Sequence, residues 1–272
     1  MLAYEPWIRL VAFALVLAAL AAWELRMPRR VRLIGRGARW PGNLGVVALD
    51  TVLVRTLLPT TAVGIALLCE THGWGLLQIA GLPAWASIPL AVLAMDLAIY
   101  LQHVLFHAVP ALWRLHRMHH ADQDIDVTTG VRFHPIEILL SVGIKFGVIV
   151  AVGAPAVAVL IFEILLNATS MFNHSNVGMP LWLDRILRWI VVTPDMHRVH
   201  HSVVVRETNS NFGFNLPWWD RLFGTYRSQP AAGHDAMTIG IEQFREPDEQ
   251  RLDRMLTQPF REDTRSYPLG RT

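Results

Sequence analysis

The chain has 272 residues, a formal net charge of +2, 53% hydrophobic residues and only 17% charged ones. With mean hydropathy of +0.34 it is too apolar for an ordinary soluble domain. It is also too nearly neutral, and too poor in basic runs interleaved with aromatics, for a nucleic-acid partner. A single cysteine, Cys69, excludes an internal disulfide framework, a CxxC redox pair and a cysteine-ligated iron–sulfur cluster; it lies in an apolar run and reads as a small buried hydrophobe.

The first apolar segment, Trp7 to Trp23, carries an aromatic near each end, and its basic residues come after it, at Arg26, Arg29, Arg30, Arg32, Arg36 and Arg39. A secretory signal needs a basic start and a small-residue cleavage site. The segment therefore reads as a retained transmembrane helix whose C-terminal end faces the positive, cytoplasmic side. A second span is expected from about Leu44 to Leu68, interrupted by Asp50 and Arg55, and a third from about Trp85 to His107. Each approaches the ~20 apolar residues that cross a ~30 Å hydrocarbon core. Counting crossings puts the end of the third on the cytoplasmic side, and the flanking Arg114, Arg117 and Arg132 agree.

That third segment runs into the most informative stretch, DLAIYLQHVLFHAVPALWRLHRMHH, from Asp96 to His120. His103 and His107 are four residues apart, one helical turn, on one face. His116, His119 and His120 repeat the same logic at i, i+3 and i+4, and so do His197, His200 and His201 in TPDMHRVHHS. Neutral imidazole is the commonest metal ligand, and imidazoles at these spacings can converge on one ion.

Between the two HxxHH boxes, the run from Ile138 to Phe172 is broken by Gly153-Ala154-Pro155, and Gly with Pro commonly ends a helix. Two legs of roughly 15 residues would each be about 22 Å long, short of a full crossing. The expected element is a re-entrant helical hairpin with the break at its deep tip, which places the lone histidines His134 and His174 on one side of the membrane. Beyond it, Leu181, Trp182, Ile186, Leu187, Trp189 and Ile190 alternate with Asp184, Arg185 and Arg188, as in an amphipathic helix lying in the interface. Trp218, Trp219 and Phe223 are further candidate anchors. From about Arg227 the chain reads as a polar tail with weak helical character at Glu246 to Leu256. The expected fold is thus an all-α integral membrane protein: about three transmembrane helices plus the re-entrant hairpin, under a cytoplasmic histidine-rich helical cap. Three regions are expected: 1–83 with the N-terminal helices and basic loop, 84–226 with the histidine boxes, and 227–272 as the tail.

A lone histidine is usually a core or surface residue. His72, in a presumed outer loop, reads as structural, and His234, in the polar tail, as solvated. The eight box histidines differ in kind. Burying so many imidazoles without partners is costly, and eight exceed the capacity of one tetrahedral or octahedral ion, so two ions are the simplest solution. Ligand chemistry alone leaves iron, zinc, copper and nickel open. Asp96, Tyr100, His103 and His107 lie at i, i+4, i+7 and i+11 along one helical face. An ionisable residue as deep as Asp96 is expensive and usually functional, and it is expected to orient His103 through Tyr100 or water. Asp195 and Glu137 are similar candidates beside ligands, and Asn211 and Asp220 are expected to organise the loop after the last box.

The order HxxxH, HxxHH, HxxHH among apolar helices resembles the fatty acid hydroxylase / sterol desaturase superfamily of integral-membrane di-iron oxygenases. The likeness extends to TTGVRFHPIE after the second box, to FNHSN, and to NSNFGFNLPWWDRLFGTY after the third, covering about Asp96 to Tyr226. One departure is Val104, where relatives often carry Arg after the first-box histidine. The resemblance adds His134 and His174 to the expected metal ligands. It implies two iron ions, with zinc as an alternative occupant of purified protein, and O2-dependent oxidation of an unactivated C–H bond of a lipid drawn from the bilayer. Two electrons per turnover would come from a separate donor protein, with Arg114, Arg117 and Arg198 as candidate contacts. A bacterial inner membrane is the expected location, with the histidines facing the cytoplasm. Desaturation is the neighbouring outcome. A non-oxidative metal protein is the alternative class, as a zinc hydrolase or a metal- or haem-binding module, though HExxH is absent and the histidines are too many for haem axial ligation.

Overall fold

A computed structural model describes residues 4–262 and 267–269; positions 263–266 and 270–272 of the expected tail lie outside the described residues. Among these residues the chain is helical, without strands, its only β-pairing being isolated bridges at Pro28–Val177 and Ser202–Ile239. Five stretches are long and apolar enough to cross a membrane: α1 (Glu5–Arg26), α2 (Arg36–Leu57) together with α3 (Ala62–His72) and the short α4 (Leu76–Ile79), α5 (Ala84–Ala108), α7 (Pro135–Val152) and α8 (Ala156–Asn173). Shorter helices complete the chain: α6 (Pro110–His120), α9 (Leu181–Leu187), α10 (Pro194–His200), α11 (Val205–Thr208), α12 (Trp218–Leu222), α13 (Gly233–Ala236) and α14 (Leu252–Thr257).

Proline and capping chemistry set the breaks. The expected second span is two helices. Leu58, held extended before Pro59, ends α2, and Thr61 caps α3 by accepting from the Gly64 N–H (3.1 Å). The stretch from Asp96 to His120 is also two helices, because Pro110 cannot donate to the ladder of α5 and instead starts α6 at its first position. Pro194 starts α10 in the same way under a Thr193 cap.

The α7–α8 hairpin forms where expected, turning at Gly153 in the left-handed region (φ 68°). Its legs are 18 residues each, longer than expected. The turn does not end in a free apolar layer. Gln78 Nε2 donates to the Gly153 carbonyl (3.0 Å), and the Ala156 N–H to Glu70 (2.8 Å), so the turn packs on the far end of α3 and α4. A Cβ on Gly75 would lie 2.1 Å from the Gly153 nitrogen, so this approach admits only glycine. α8 runs beside α1 with matching levels, from Arg9–Glu163 (3.0 Å) at one end to Glu24–Asn176 (2.8 Å) at the other. The apolar core lies among α3, α5, α7 and α8, around Met95, Ile99, Ile149 and Phe162.

The polar tail is a roof rather than an appendage. Tyr267 and Ile241 pack with Trp113 and Ala121, Met255 packs with Val46 and Met118, and the Leu269 N–H donates to the His107 carbonyl (2.9 Å). Tyr267 stacks on Trp113 at 5.6 Å. His234, expected to be solvated, is buried, because α13 folds back onto Asp195 (3.8 Å) and the Arg30 guanidinium, in the loop after α1, donates to the His234 carbonyl (2.7 Å). His72 is exposed and stacks on Trp74, as its loop position implied.

Candidate metal centre

The ends of α5 and α8, with α6 and α10, bring nine histidines into two adjoining buried groups. One contains His103, His107, His116, His120 and His200; the other contains His119, His174, His197 and His201. Within each group one nitrogen per ring lies within 4.8 Å of all the others. The groups touch: His120 stacks on His201 at 4.6 Å, and His116 lies 5.1 Å from His119.

Six of the nine rings are held from behind; Nδ1 of His120, His197 and His201 has no protein partner among the described residues. Nδ1 of His103 donates to the Phe212 carbonyl (2.7 Å), that of His116 to Glu137 (2.6 Å), that of His119 to the Arg132 carbonyl (3.1 Å), that of His174 to the Ser170 carbonyl (2.7 Å) and that of His200 to the Ser210 carbonyl (2.7 Å). Nδ1 of His107 donates to Asn209 Oδ1 (3.1 Å). These acceptors fix the tautomer and leave Nε2 with a bare lone pair.

The lone pairs face one another. His103 and His116 meet Nε2 to Nε2 at 3.1 Å, and His119 and His174 at 3.0 Å; His197 Nε2 lies 3.1 Å from His174 Nε2. In the first two pairs neither nitrogen carries a proton to share, because each ring has already placed its proton on Nδ1. Burial keeps the rings neutral by pushing His116 and His174 down to about 3 and His119, His120, His197, His200 and His201 well below the ordinary range. Opposed lone pairs in a dry site repel unless a cation lies between them. Two ligands at about 2.1 Å from a common ion and roughly at right angles would be about 3.0 Å apart, which is the spacing found. Nε2 of His107, His120, His200 and His201 also has no protein partner. The donor set thus fits nitrogen-ligated metal.

A buried ionic network fixes the segment after the second box. Arg39 of α2 makes a bidentate pair with Asp122 (both 2.7 Å) and reaches Asp126 (2.7 Å). Arg132 donates to Asn43 (3.1 Å), Gln250 (2.6 Å) and the Met118 carbonyl (3.0 Å). Burial resists ionisation of Asp122, but Arg39 and Arg132 overcome it and bring the carboxyl down to about 2; burial lowers Arg132 to about 10. On the side facing the spans, Phe133 stacks on His119 (4.5 Å), and Phe214 lies 5.0 Å from His103. Phe133 and Asn173, at opposite ends of the hairpin, therefore sit at the same centre.

Several expected residues go elsewhere. His134 lies outside both groups. It caps α7, its Nδ1 accepting from the Ile136 N–H (3.2 Å) and its Nε2 donating to the Leu256 carbonyl (3.2 Å), so both nitrogens are used. Asp96 does not act through Tyr100; it accepts from Asn215 and Trp219 (both 2.8 Å), while Tyr100 meets Thr225 (2.9 Å) and the Phe212 carbonyl takes His103. Asp195 pairs with Arg198 and Arg29, which hold it below the usual carboxylate range against its burial. Arg117 and Arg198 are fully buried and bind the chain's own oxygens, and Arg114 donates to the carbonyls of Pro259 and Arg261, so none of the three forms an exposed docking patch. Glu137, expected beside a ligand, sits against the box histidine His116 (2.6 Å). Asn211, at φ 52°, donates to the carbonyls of Met196 and Arg227, and Asp220 accepts from Phe212 and Gly213, organising the loop after the last box. The Arg39 network and the Phe212, Ser210 and Asn209 acceptors escaped sequence reasoning. The Asp122, Asp124, Asp126 run directly after a histidine box was the one signal available.

A family model for fatty acid hydroxylase matches residues 88–225. The chain is 33% identical over 151 residues to an ornithine lipid hydroxylase of Rhizobium tropici, covering 54% of this chain and 44% of that one. It is 28% identical over 193 residues to an alkylglycerol monooxygenase of Xenopus tropicalis (68% and 41%), and 26% over 143 residues to a cholesterol 25-hydroxylase of Homo sapiens (50% and 50%). The matched stretch therefore spans half or less of the length of these relatives. No solved structure matches.

Proposed function

The chain belongs to the fatty acid hydroxylase family, and on that premise we propose that it is an oxidoreductase that hydroxylates a C–H bond of a membrane lipid with O2 and two external electrons. The observation that carries this reading is the pair of opposed, unprotonated Nε2 atoms in each histidine group, at 3.0–3.1 Å. The nine grouped histidines are the proposed ligands of two metal ions, one per group. An all-imidazole, thiolate-free set is compatible with iron. When bound, the metal pair supplies the oxidising power toward an unactivated C–H bond that no side chain has.

The chain's own residues supply the rest. The acceptors behind six of the rings hold Nε2 aimed inward. Glu137 fixes the orientation of His116, and the Arg39–Asp122–Arg132 network fixes the backbone that carries His119 and His120. Phe133 and Phe214 exclude water on the membrane side, where an apolar chain would approach. The roof formed by Tyr267 and Trp113 excludes it on the other. Asp96, Tyr100 and Asp195 are assigned positioning roles: Asp96 and Tyr100 anchor the loop that carries Phe212 and Phe214, and Asp195 anchors α10 through Arg198.

The printed activities of the relatives, on an ornithine lipid, an alkylglycerol and cholesterol, support a lipid substrate here. An integral membrane location with the histidine end on the cytoplasmic side of a bacterial inner membrane is part of the proposal. Basic residues at the end of α1 support it, although Arg29, Arg30 and Arg39 also serve internal contacts. The hairpin is assigned two full crossings, since its turn reaches the loop between α3 and α4. Residues 84–226 are the proposed catalytic region, to which 1–83 contribute Arg39 and Asn43, and the described residues of 227–272 the roof. A separate protein is the proposed electron donor.

The test is elemental analysis of purified protein together with product analysis. About two metal ions per chain and a lipid product gaining one oxygen atom are expected. Metal-free folded protein, or a product that has lost two hydrogens without gaining oxygen, would remove the metal assignment or the hydroxylase assignment respectively.

A further inference from the structure

Helices α9 and α12 form one continuous apolar shelf beside the spans. Trp218 Nε1 donates to the Trp189 carbonyl (2.7 Å), and the Arg221 guanidinium lies over the rings of Trp189 (4.0 Å) and Tyr226 (4.1 Å), locking the two helices together. On this shelf Trp182, Ile186, Trp189, Trp218, Leu222 and Phe223 are each 46–70% exposed. So large a contiguous apolar patch marks an interaction surface.

Its level against α5 identifies the occupant. α12 is fastened to α5 by Trp219 Nε1 donating to Asp96 (2.8 Å) and by Phe223 stacking on Tyr100 (5.4 Å). α5 has 25 residues, about 37 Å at 1.5 Å per residue, against a hydrocarbon core of about 30 Å. With exposed Trp85 at the far boundary, the near boundary falls about 20 residues on, near Leu105. Tyr100 and Asp96 then lie about 7 and 13 Å inside the apolar layer, and tilting α5 would only deepen them. We infer that the α9–α12 shelf is immersed in the leaflet on the histidine side, its apolar face against acyl chains and the exposed Arg185 toward the lipid phosphates. The charged rim complements an anionic leaflet, and the patch is continuous with the lipid-facing surface of α5, where Leu101 and Leu105 are also exposed. The shelf thus carries the loop with Phe212 and Phe214, which walls the metal centre, at the depth of the lipid chains.

The inference concerns placement and does not depend on catalysis. Its test uses Ile186→Cys, Leu222→Cys and Phe223→Cys, each in the full chain on a Cys69→Ala background. Each is spin-labelled and reconstituted in vesicles of phosphatidylethanolamine and phosphatidylglycerol, with Glu242→Cys on the roof as the aqueous reference. Collision with dissolved O2 and with a water-soluble nickel chelate is read by power-saturation electron paramagnetic resonance. The expected result is mobile labels with several-fold higher O2 than nickel accessibility at all three shelf positions, and the reverse at position 242. Nickel accessibility matching the reference would place the shelf in water. Immobilised labels shielded from both reagents would show a second protein chain on it. Either outcome overturns the inference and leaves the oxidase assignment standing.

Discussion

Glu137 Oε1 lies 2.6 Å from Nδ1 of His116, so a carboxyl group from the start of α7 reaches an imidazole of the first histidine group on α6 across twenty-one positions of sequence. The contact gives His116 a fixed tautomer and a more basic Nε2. Replacing such a carboxylate commonly weakens metal binding about 10–100-fold. Glu137→Ala is expected to lose metal to a competing chelator in that range, while Glu137→Gln, whose Oε1 still accepts from Nδ1, loses less. Chelator-competition titration of the purified variants checks the order.

His119→Ala and His200→Ala are expected to abolish product formation and to lower metal content, since each removes a ring from a different group. His134→Asn should retain both, because Asn can also cap α7 and His134 lies outside the groups. Product assay and elemental analysis of the three variants separate ligands from cap; loss of metal in the third would return His134 to the ligand set.

Arg39→Ala leaves Asp122 and Asp126 buried without their cation. Breaking one side of a buried ion pair costs about 3–5 kcal/mol, so a large fall in unfolding temperature is expected. The metal centre should suffer with it, because the segment from His119 to Arg132 loses its brace. Thermal unfolding in detergent, followed with metal content, tests both.

Chelation of the metal should lower the unfolding temperature reversibly. A ligand present at about a thousand times its dissociation constant stabilises by about 4 kcal/mol, and the opposed lone pairs add repulsion once the cation is gone. Readdition of ferrous iron under anaerobic conditions is expected to restore the transition.

His234 provides the pH dependence. Burial pushes it down to about 4 although Asp195 works the other way, while unfolded it titrates near 6.5. Its contribution is therefore complete above about pH 6.5. It is lost progressively as the pH falls toward 4, because the unfolded chain then takes up a proton that the folded chain refuses. The stability difference between the wild type and His234→Asn should narrow across that window and be flat above it, as measured by denaturant titration at each pH.

The boxes were legible because helical spacing alone sets His103 beside His107 and His116 beside His120. What spacing cannot supply is the set of acceptors behind six of the rings. Those acceptors are mostly backbone carbonyls, at Phe212, Arg132, Ser170 and Ser210, and a carbonyl has no sequence signature. His134 failed for a related reason: a histidine before Pro135 at a helix start serves equally as a cap, and only the position of Leu256 decides. Asp96 was rightly singled out as an expensive residue inside a span. Its partners, Asn215 and Trp219, lie more than a hundred positions away, beyond any periodicity argument. The tail misled through its composition, since the few apolar residues that make it a roof, Ile241, Met255 and Tyr267, are scattered among charges.

That roof bears on how the protein is made. Every grouped histidine lies between positions 103 and 201, whereas the cover over them draws on Met237, Ile239, Ile241, Met255, Tyr267 and Leu269. During synthesis the imidazoles emerge and can gather before their lid exists, leaving an interval in which an ion has direct access to them. Biogenesis then resembles filling a vessel and afterwards setting its stopper, and the Leu269 hydrogen bond to His107 is among the last contacts to form.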